Sequence, residues 1–353
     1  MQERKLRLEM DKSTKQILIF FFLVVVFSLM YVFSSILLPF VMAAIFAVLT
    51  HPLITFLRKL KFPKWLITPI IVLIAVSIIF GVYKLFESAV NDIASSWDGM
   101  ALKFTEKVEN LRLWLYNHLS LELPRLDREF IRDYWNLEFI TKQFGDLATL
   151  LGSLAGSFSF FILYFFLFVS GISNIEKYLN HVEGNETGSK MYAYYQVMQS
   201  SITSYLVIKV LISAFTGLLT FIVCSFFELD FLIFIILVTF FLNFIPNIGS
   251  IIASFVPVII GFIQFESFQE VILLAVLIVS IQIVMGNVIE PVVMGERNKI
   301  NTITILIGLL FWGVIWGIPG MILSVPLLVI IKMLLEQFDS TATFARIMGS
   351  PEG

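Results

Sequence analysis

The chain has 353 residues, of which 58% are apolar and 14% charged, with 37 phenylalanines and a mean hydropathy of +0.92. That much hydrocarbon exceeds what a water-soluble globule encloses, so the sequence reads as a polytopic membrane protein. A net charge of −2 excludes a general nucleic-acid binder, which needs a concentrated basic surface, and the single cysteine, Cys224, excludes an intrachain disulfide.

Residues 1–15 form a basic tail carrying Arg4, Lys5, Arg7, Lys12 and Lys15. The run from Gln16 to Phe56 contains no charged residue. It is too long for a cleavable signal peptide and lacks a cleavage site, so it is retained. Crossing about 30 Å of hydrocarbon takes roughly 20 helical residues, which predicts two spans here with a turn near Ser34 to Pro39. His51, just before Pro52, marks the cytoplasmic end of a helix. A third span, Trp65 to Tyr83, completes an N-terminal scaffold over 16–84.

Residues 85–146 predict a helical extracytoplasmic arm. Ile93, Trp97, Met100, Phe104, Val108, Leu111 and Leu115 recur at helical spacing with charged residues between them, which makes an amphipathic helix. Pro124 breaks it, and a second helix runs from Phe130 to Phe144. The pattern leaves open whether the arm packs on its own protomer or on a neighbour. A further span covers 147–170. The polar stretch 171–203 reads as a cytoplasmic connector, with Gly184, Asn185 and Gly188 as turn signals and a short helix from Met191 to Met198.

The transport region, 204–336, holds full spans at Ser204 to Phe227 and Phe268 to Ile289. On either side of the latter lie apolar stretches broken by Pro and Gly, one around Pro246 and Gly249, the other around Gly317-Ile318-Pro319-Gly320. Hydrocarbon offers no water to freed backbone groups, so such a break survives only where protein or a polar cavity supplies partners. Secondary transporters build substrate sites from discontinuous helices of this kind. The leading arms, Phe231 to Ile245 and Thr302 to Val314, are 15 and 13 residues. At about 22 and 20 Å they fall short of a crossing, which favours re-entrant hairpins. The fold class is therefore all-α, with about six full spans, two broken or re-entrant helical hairpins and the extracytoplasmic arm.

The basic tail and the loop bearing Arg58, Lys59, Lys61 and Lys64 place both on the cytoplasmic side, and counting spans brings the C-terminal tail, 337–353, to the same side. The span Phe268 to Ile289 then returns toward the cytoplasm at Arg297 and Lys299. The first hairpin dips in from outside and the second from the cytoplasm, with tips approaching near the midplane. The expected location is the inner (plasma) membrane. Lys209, close to a predicted helix end, is expected to snorkel.

Much chemistry is missing. There is no nucleotide-binding phosphate loop, no HExxH, no CxxC and no nucleophile elbow, and the three histidines, His51, His118 and His181, fall in separate compartments. This predicts no catalytic residues, no metal, no cofactor and no enzyme. Neutral polar residues instead gather around the breaks, and the candidate solute-binding set is Asn243, Pro246, Asn247, Gly249, Ser250, Gln282, Asn287, Glu290, Pro319 and Gly320. Pro246 frees a carbonyl and the next half-helix offers unpaired amides, so donors and acceptors are both on hand. Such groups suit a small hydroxylated solute, uncharged or weakly anionic, better than a bare cation. Singly, the same residues also serve as interhelical hydrogen-bonding glue.

At these motifs the chain resembles the AI-2E family of transporters. The likeness rests on Phe244-Ile245-Pro246-Asn247-Ile248-Gly249-Ser250, on Gln282 with Gly286-Asn287-Val288-Ile289-Glu290-Pro291, and on Phe311-Trp312-Gly313 through Pro326. Met285 and Asn247 depart from it, since many relatives carry an acid and a tyrosine there. The resemblance implies a secondary transporter exporting a small polar metabolite such as autoinducer-2, an elevator-like motion of the hairpin-bearing half, and a homo-pentamer. Its partners are then a small polar solute and the lipid bilayer. A monovalent cation (sodium or lithium)/proton antiporter using Glu290 is the second reading, and a structural or regulatory envelope protein is the third.

Overall fold

The structure, a computed structural model, describes residues 12–120, 158–171, 175–294, 300–338 and 340–349. Among the described residues all regular elements are helical, and the sole pairing of extended backbone is an isolated bridge between Ile300 and Gly349. The protein is an all-α polytopic membrane protein. Among the described residues four helices are long and apolar enough to cross a bilayer, beside a bent apolar pair at 17–49.

Helices α1 (Lys12–Val32) and α2 (Ser34–Leu49) meet at 90°. The sequence predicted a reversal between Ser34 and Pro39, and the structure corrects this. The link is Phe33 alone, which turns the chain too little to lay the helices antiparallel, and Pro39 is buried inside α2. Helix α3 (His51–Lys59) places Pro52 in its first turn, where a missing N–H leaves no bond unmade, so His51 does stand at a helix boundary.

Helix α4 (Lys64–Leu119) is 56 residues long, about 84 Å. The predicted third span and the amphipathic helix are therefore one rod that leaves the hydrocarbon without a break. Its Phe86, Ala89 and Ile93 join a core with residues of the first broken stretch, and Lys107 lies 3.6 Å from Glu266. The described part of the arm thus packs on its own chain. The break at Pro124 and the helix from Phe130 to Phe144 lie outside the described residues, as do Arg297 and Lys299. Of the predicted span 147–170, the structure describes α5 (Phe158–Gly171).

Helix α6 (Ile175–Phe226) runs 52 residues straight through Gly184, Asn185 and Gly188, where the sequence predicted turns. A glycine within a helix costs only about 1 kcal/mol against alanine, which a long helix absorbs. The connector and the following span are one element, and Lys209 lies deep inside it.

The first broken stretch is a helical hairpin of α7 (Leu232–Leu242) and α8 (Ile248–Gln264). Its open end is closed by one side chain: Gln264 accepts from the Asp230 amide at 2.9 Å and donates to the Glu228 carbonyl at 2.7 Å. At its closed end the break satisfies itself through short-range bonds, among them Ile245 N to Leu242 O and Gly249 N to Ile245 O. Next come α9 (Phe268–Ile283), a π-helical segment (Val284–Ile289) and the short α10 (Glu290–Met294), continuous from end to end.

Helix α11 (Thr302–Glu336) is capped by Asn301, whose side chain accepts from the Ile303 amide, and is interrupted at Gly317, where φ is 63° and ψ −146°. A Cβ added at Gly308 would fall 2.5 Å from the Leu328 side chain, and one at Gly313 2.7 Å from Met321. In a straight helix Gly308 and Leu328 would stand about 30 Å apart. The chain therefore folds back at Gly317, and the second broken stretch is also a hairpin. Helix α12 (Ala342–Met348) follows.

The two hairpins share one device. A Cβ at Gly249 would overlap the Leu242 carbonyl, and a Cβ at Gly320 would overlap the Trp312 carbonyl. In each, the glycine following the break lets the returning arm rest on main-chain oxygen of the leading arm. The Gly320→Ala and Gly249→Ala proteins are each expected to lose about 1–3 kcal/mol to overpacking, read as a lower melting temperature in detergent. Gly81→Ala, inside α4 where an added Cβ meets nothing within 4 Å, is expected to melt no lower than wild type does.

Candidate functional site

Polar side chains buried within apolar helices gather on one face of α6. Tyr205, Lys209, Ser213, Thr216 and Thr220 follow one another at steps of four, four, three and four residues and are all buried. That spacing puts them in a single stripe. Helices α7, α9 and α10 and the π segment pack against α6.

Two cross-links leave the stripe one turn apart. Lys209 Nζ donates to Glu290 Oε1 at 2.5 Å, and Asn243 Nδ2 donates to Ser213 Oγ at 3.1 Å. The first ties α6 to the residue following the π segment. The second ties it to the break of the first hairpin. Thr216 donates to the Ile212 carbonyl within its own helix. Five buried side-chain polar atoms remain without a partner among the described residues: Gln199 Nε2, Thr220 Oγ1 and Ser225 Oγ on α6, Thr239 Oγ1 one turn before Asn243, and Gln282 Nε2 on α9.

The π segment decides which residue reaches Lys209. Leu274, Ile278, Gln282 and Met285 form the buried face of α9 and its continuation, and an unbroken α-helix would carry that face on to Ile289. One extra residue in the π turn shifts the inward place by one position. Ile289 accordingly faces outward, and the Glu290 side chain is only 20% exposed.

The side chain of Lys209 is 3% exposed, and the expectation that it snorkels is corrected: α6 begins far earlier than the sequence predicted, so no helix end lies within its reach. Of the other predicted residues, Asn243 at the end of α7 and Gln282 on α9 are buried, Gly249 and Gly320 are buried at their close approaches, and Pro246, Ser250 and Pro319 are half-buried. Asn247 and Asn287 are exposed on this chain. Asn247 takes φ 60° at the start of α8, a left-handed value that asparagine tolerates better than most residues.

The polar contacts of the two breaks lead to different places. The first break turns to α6 through Asn243. The second lies in a core with α1, α2 and Tyr205 and Leu206 of α6, where Trp316 Nε1 donates to the Met30 carbonyl at 3.3 Å. The buried polar cross-links therefore centre on α6. Two cavities flank it at a distance. One of about 280 Å³ lies at the open end of the first hairpin beside Ser95, Lys103 and Asp230, and an apolar one of about 580 Å³ lies among α2, α5 and α6.

Sequence reading missed Tyr205, Lys209, Ser213, Thr216 and Thr239. The recurrence of polar residues every four positions along α6 was the available signal. Among the described residues no group of three or more histidine, cysteine or carboxylate side chains is placed to hold a metal ion.

A sequence profile described as AI-2E family transporter matches residues 17–340. A protein of Borreliella burgdorferi, provisionally named as a transport protein, is 29% identical over 319 residues, 89% of this chain and 84% of its own length. One from Haemophilus influenzae with the same provisional name is 28% identical over 325 residues, covering 90% and 91%. The AI-2 transport protein TqsA of Escherichia coli is 27% identical over 311 residues, 86% of each chain. With apolar helices, two hairpins and a profile match over nearly its full length, the chain belongs to the AI-2E family and is a membrane transporter.

Proposed function

We propose that the protein is a secondary transporter of the inner membrane that exports a small, oxygen-rich metabolite, with autoinducer-2 the first solute to test because a relative of matching length is named for it. The observation that carries this reading is the buried polar stripe of α6, cross-linked to the first break through Asn243 and to the π segment through Glu290. Polar and ionisable groups inside a membrane are expensive to bury and mark solute or ion pathways. The hairpins are closed, self-satisfied units suited to moving as bodies in an elevator-like cycle. Basic residues at both ends of the bent α1–α2 pair support cytoplasmic termini, and the family resemblance supports a homo-pentamer.

The sodium/proton antiporter reading depends on Glu290. That carboxylate already accepts from Lys209, and a bare cation brought to it would sit against an ammonium. In proteoliposomes a pH gradient is expected to drive no sodium flux above that of protein-free vesicles. Sodium efflux abolished by Glu290→Gln would replace the first reading with this one.

The direct test is export from proteoliposomes loaded with autoinducer-2, neutral sugars or small hydroxy acids. Wild-type protein is expected to release at least one of these faster than protein-free vesicles do. Asn243→Ala breaks the link between the first hairpin and α6. It is expected to slow that release about tenfold, the consequence of losing about 1.4 kcal/mol at one hydrogen bond, while the protein stays folded. Unchanged release by this variant would remove Asn243 from the site.

A further inference from the structure

The pairing of Lys209 with Glu290 is unlike the other ion pairs among the described residues. Lys84 with Glu87, Arg112 with Glu109 and Lys332 with Glu336 are pairs within one helix, and Lys107 with Glu266 lies at the open end of a hairpin with Glu266 fully exposed. Lys209 is the buried cation of these pairs, and it meets a carboxylate 81 residues away on another helix. Glu290 follows a six-residue π segment, the least regular stretch of its span, and precedes Pro291, which supplies no amide. The carboxylate is partly open while the ammonium is closed off. The charged end that can leave is therefore Glu290, and the one fixed in place is Lys209.

We propose that Lys209 is the solute-recognising residue of the transport site, and that the Glu290 carboxylate is an internal ligand holding its place until a small solute bearing an oxyanion displaces it. The inference rests on the transport reading above and adds the charge class of the solute. Around the ammonium the same face offers Tyr205 one turn before and Ser213 with Asn243 one turn after. Thr239 Oγ1 and Gln282 Nε2 stand unpartnered on the helices packed against α6. The ammonium with these hydroxyl and amide groups supplies the donors that an oxyanion requires and acceptors for neighbouring hydroxyl groups. When the solute carboxylate takes the ammonium, Glu290 turns to its open side, and the charge beside Lys209 stays balanced throughout. This separates the site from a bare-cation site, where Lys209 would oppose binding. It also separates it from a site for neutral sugars, where the ammonium would never lose its carboxylate.

The test is chemical rescue by formate, a probe no larger than the carboxylate it replaces. Full-length Glu290→Ala protein in detergent is expected to melt several degrees below wild type and to recover most of that loss as formate is added. Recovery is expected to saturate, with half of it reached on the order of millimolar formate. The Lys209→Met/Glu290→Ala protein, which has no buried ammonium to fill, is expected to show no saturable gain. If Glu290→Ala does not yield folded protein, Glu290→Ser, which also removes the carboxylate and leaves its space open, is titrated in its place. Equal stabilisation of the single and double variants, or equal stabilisation by chloride at the same concentration, would overturn the proposal. Rescue that succeeds in a protein that exports none of the solutes tried would instead count against the transport reading, so the two failures are distinguishable.

Discussion

A peptide group or a charge placed in hydrocarbon has no water to turn to, and each irregular feature of this chain is shaped by the need to supply it with a protein partner. The break at Pro246 closes its amides and carbonyls over a few residues. The Asn243 side chain, left over at its edge, finds Ser213 on a neighbouring helix. The single charge buried deep in α6 finds Glu290. The buried polar atoms that stay unmatched, at Gln199, Thr220, Ser225, Thr239 and Gln282, all lie on α6 or on the helices packed against it. In a membrane interior such a concentration of unmet hydrogen-bonding capacity is costly, and a transported solute able to meet it is a physical reason for its retention.

Close approach without side chains is the second requirement. A hairpin dipping into the bilayer must bring two helices together over a short turn, and here both do so by laying a glycine against main-chain oxygen, Gly249 on Leu242 and Gly320 on Trp312. The second adds Gly308 and Gly313, which accept Leu328 and Met321 from the returning arm. These contacts hold each hairpin as a unit with an internal seam of its own. The cores that seat the hairpins are separate. One joins α4, α7, α8 and α9 around Ile235 and Leu274, and the other joins α1, α2 and α11 around Trp312 and Trp316. Helix α6 enters both, at Cys224 in one and at Tyr205 in the other. It is the common rod against which two self-contained hairpins are mounted, and its polar stripe runs along the stretch between them.

The membrane class, the two breaks and their hairpin form were legible because they rest on local rules: the length of apolar runs, and the incompatibility of Pro-Gly pairs with a straight helix. What was not legible depended on continuity and rotation. Gly184 and Gly188 looked like turns, yet their penalty is small beside the cooperativity of a 52-residue helix, and misplacing the start of α6 misplaced Lys209 with it. The π turn after Val284 leaves no mark in hydropathy, and without it Ile289 rather than Glu290 would face Lys209. The 90° corner at Phe33 was missed for a related reason. A single residue's dihedral angles set the direction of two apolar helices that composition alone cannot distinguish from a hairpin.

The retention of the Lys209–Glu290 pair needs more than stability to account for it. Exchanging a buried ion pair for apolar residues of similar size is often neutral or stabilising, whereas removing one partner costs about 3–5 kcal/mol. A pair kept only to fix helix register would have little to add here, since α6 already packs along α9 and α10 over many residues. Nor does a register pin call for one partner to be carried on the irregular end of its span and left partly open to the surroundings. Both features follow if one of the two charges is meant to part from the other, and the asymmetry of burial says which. Lys209 stays in the rod while Glu290 moves with the π segment, so the empty transporter keeps its buried charge satisfied, and an arriving anion has only to match a ligand the protein already supplies.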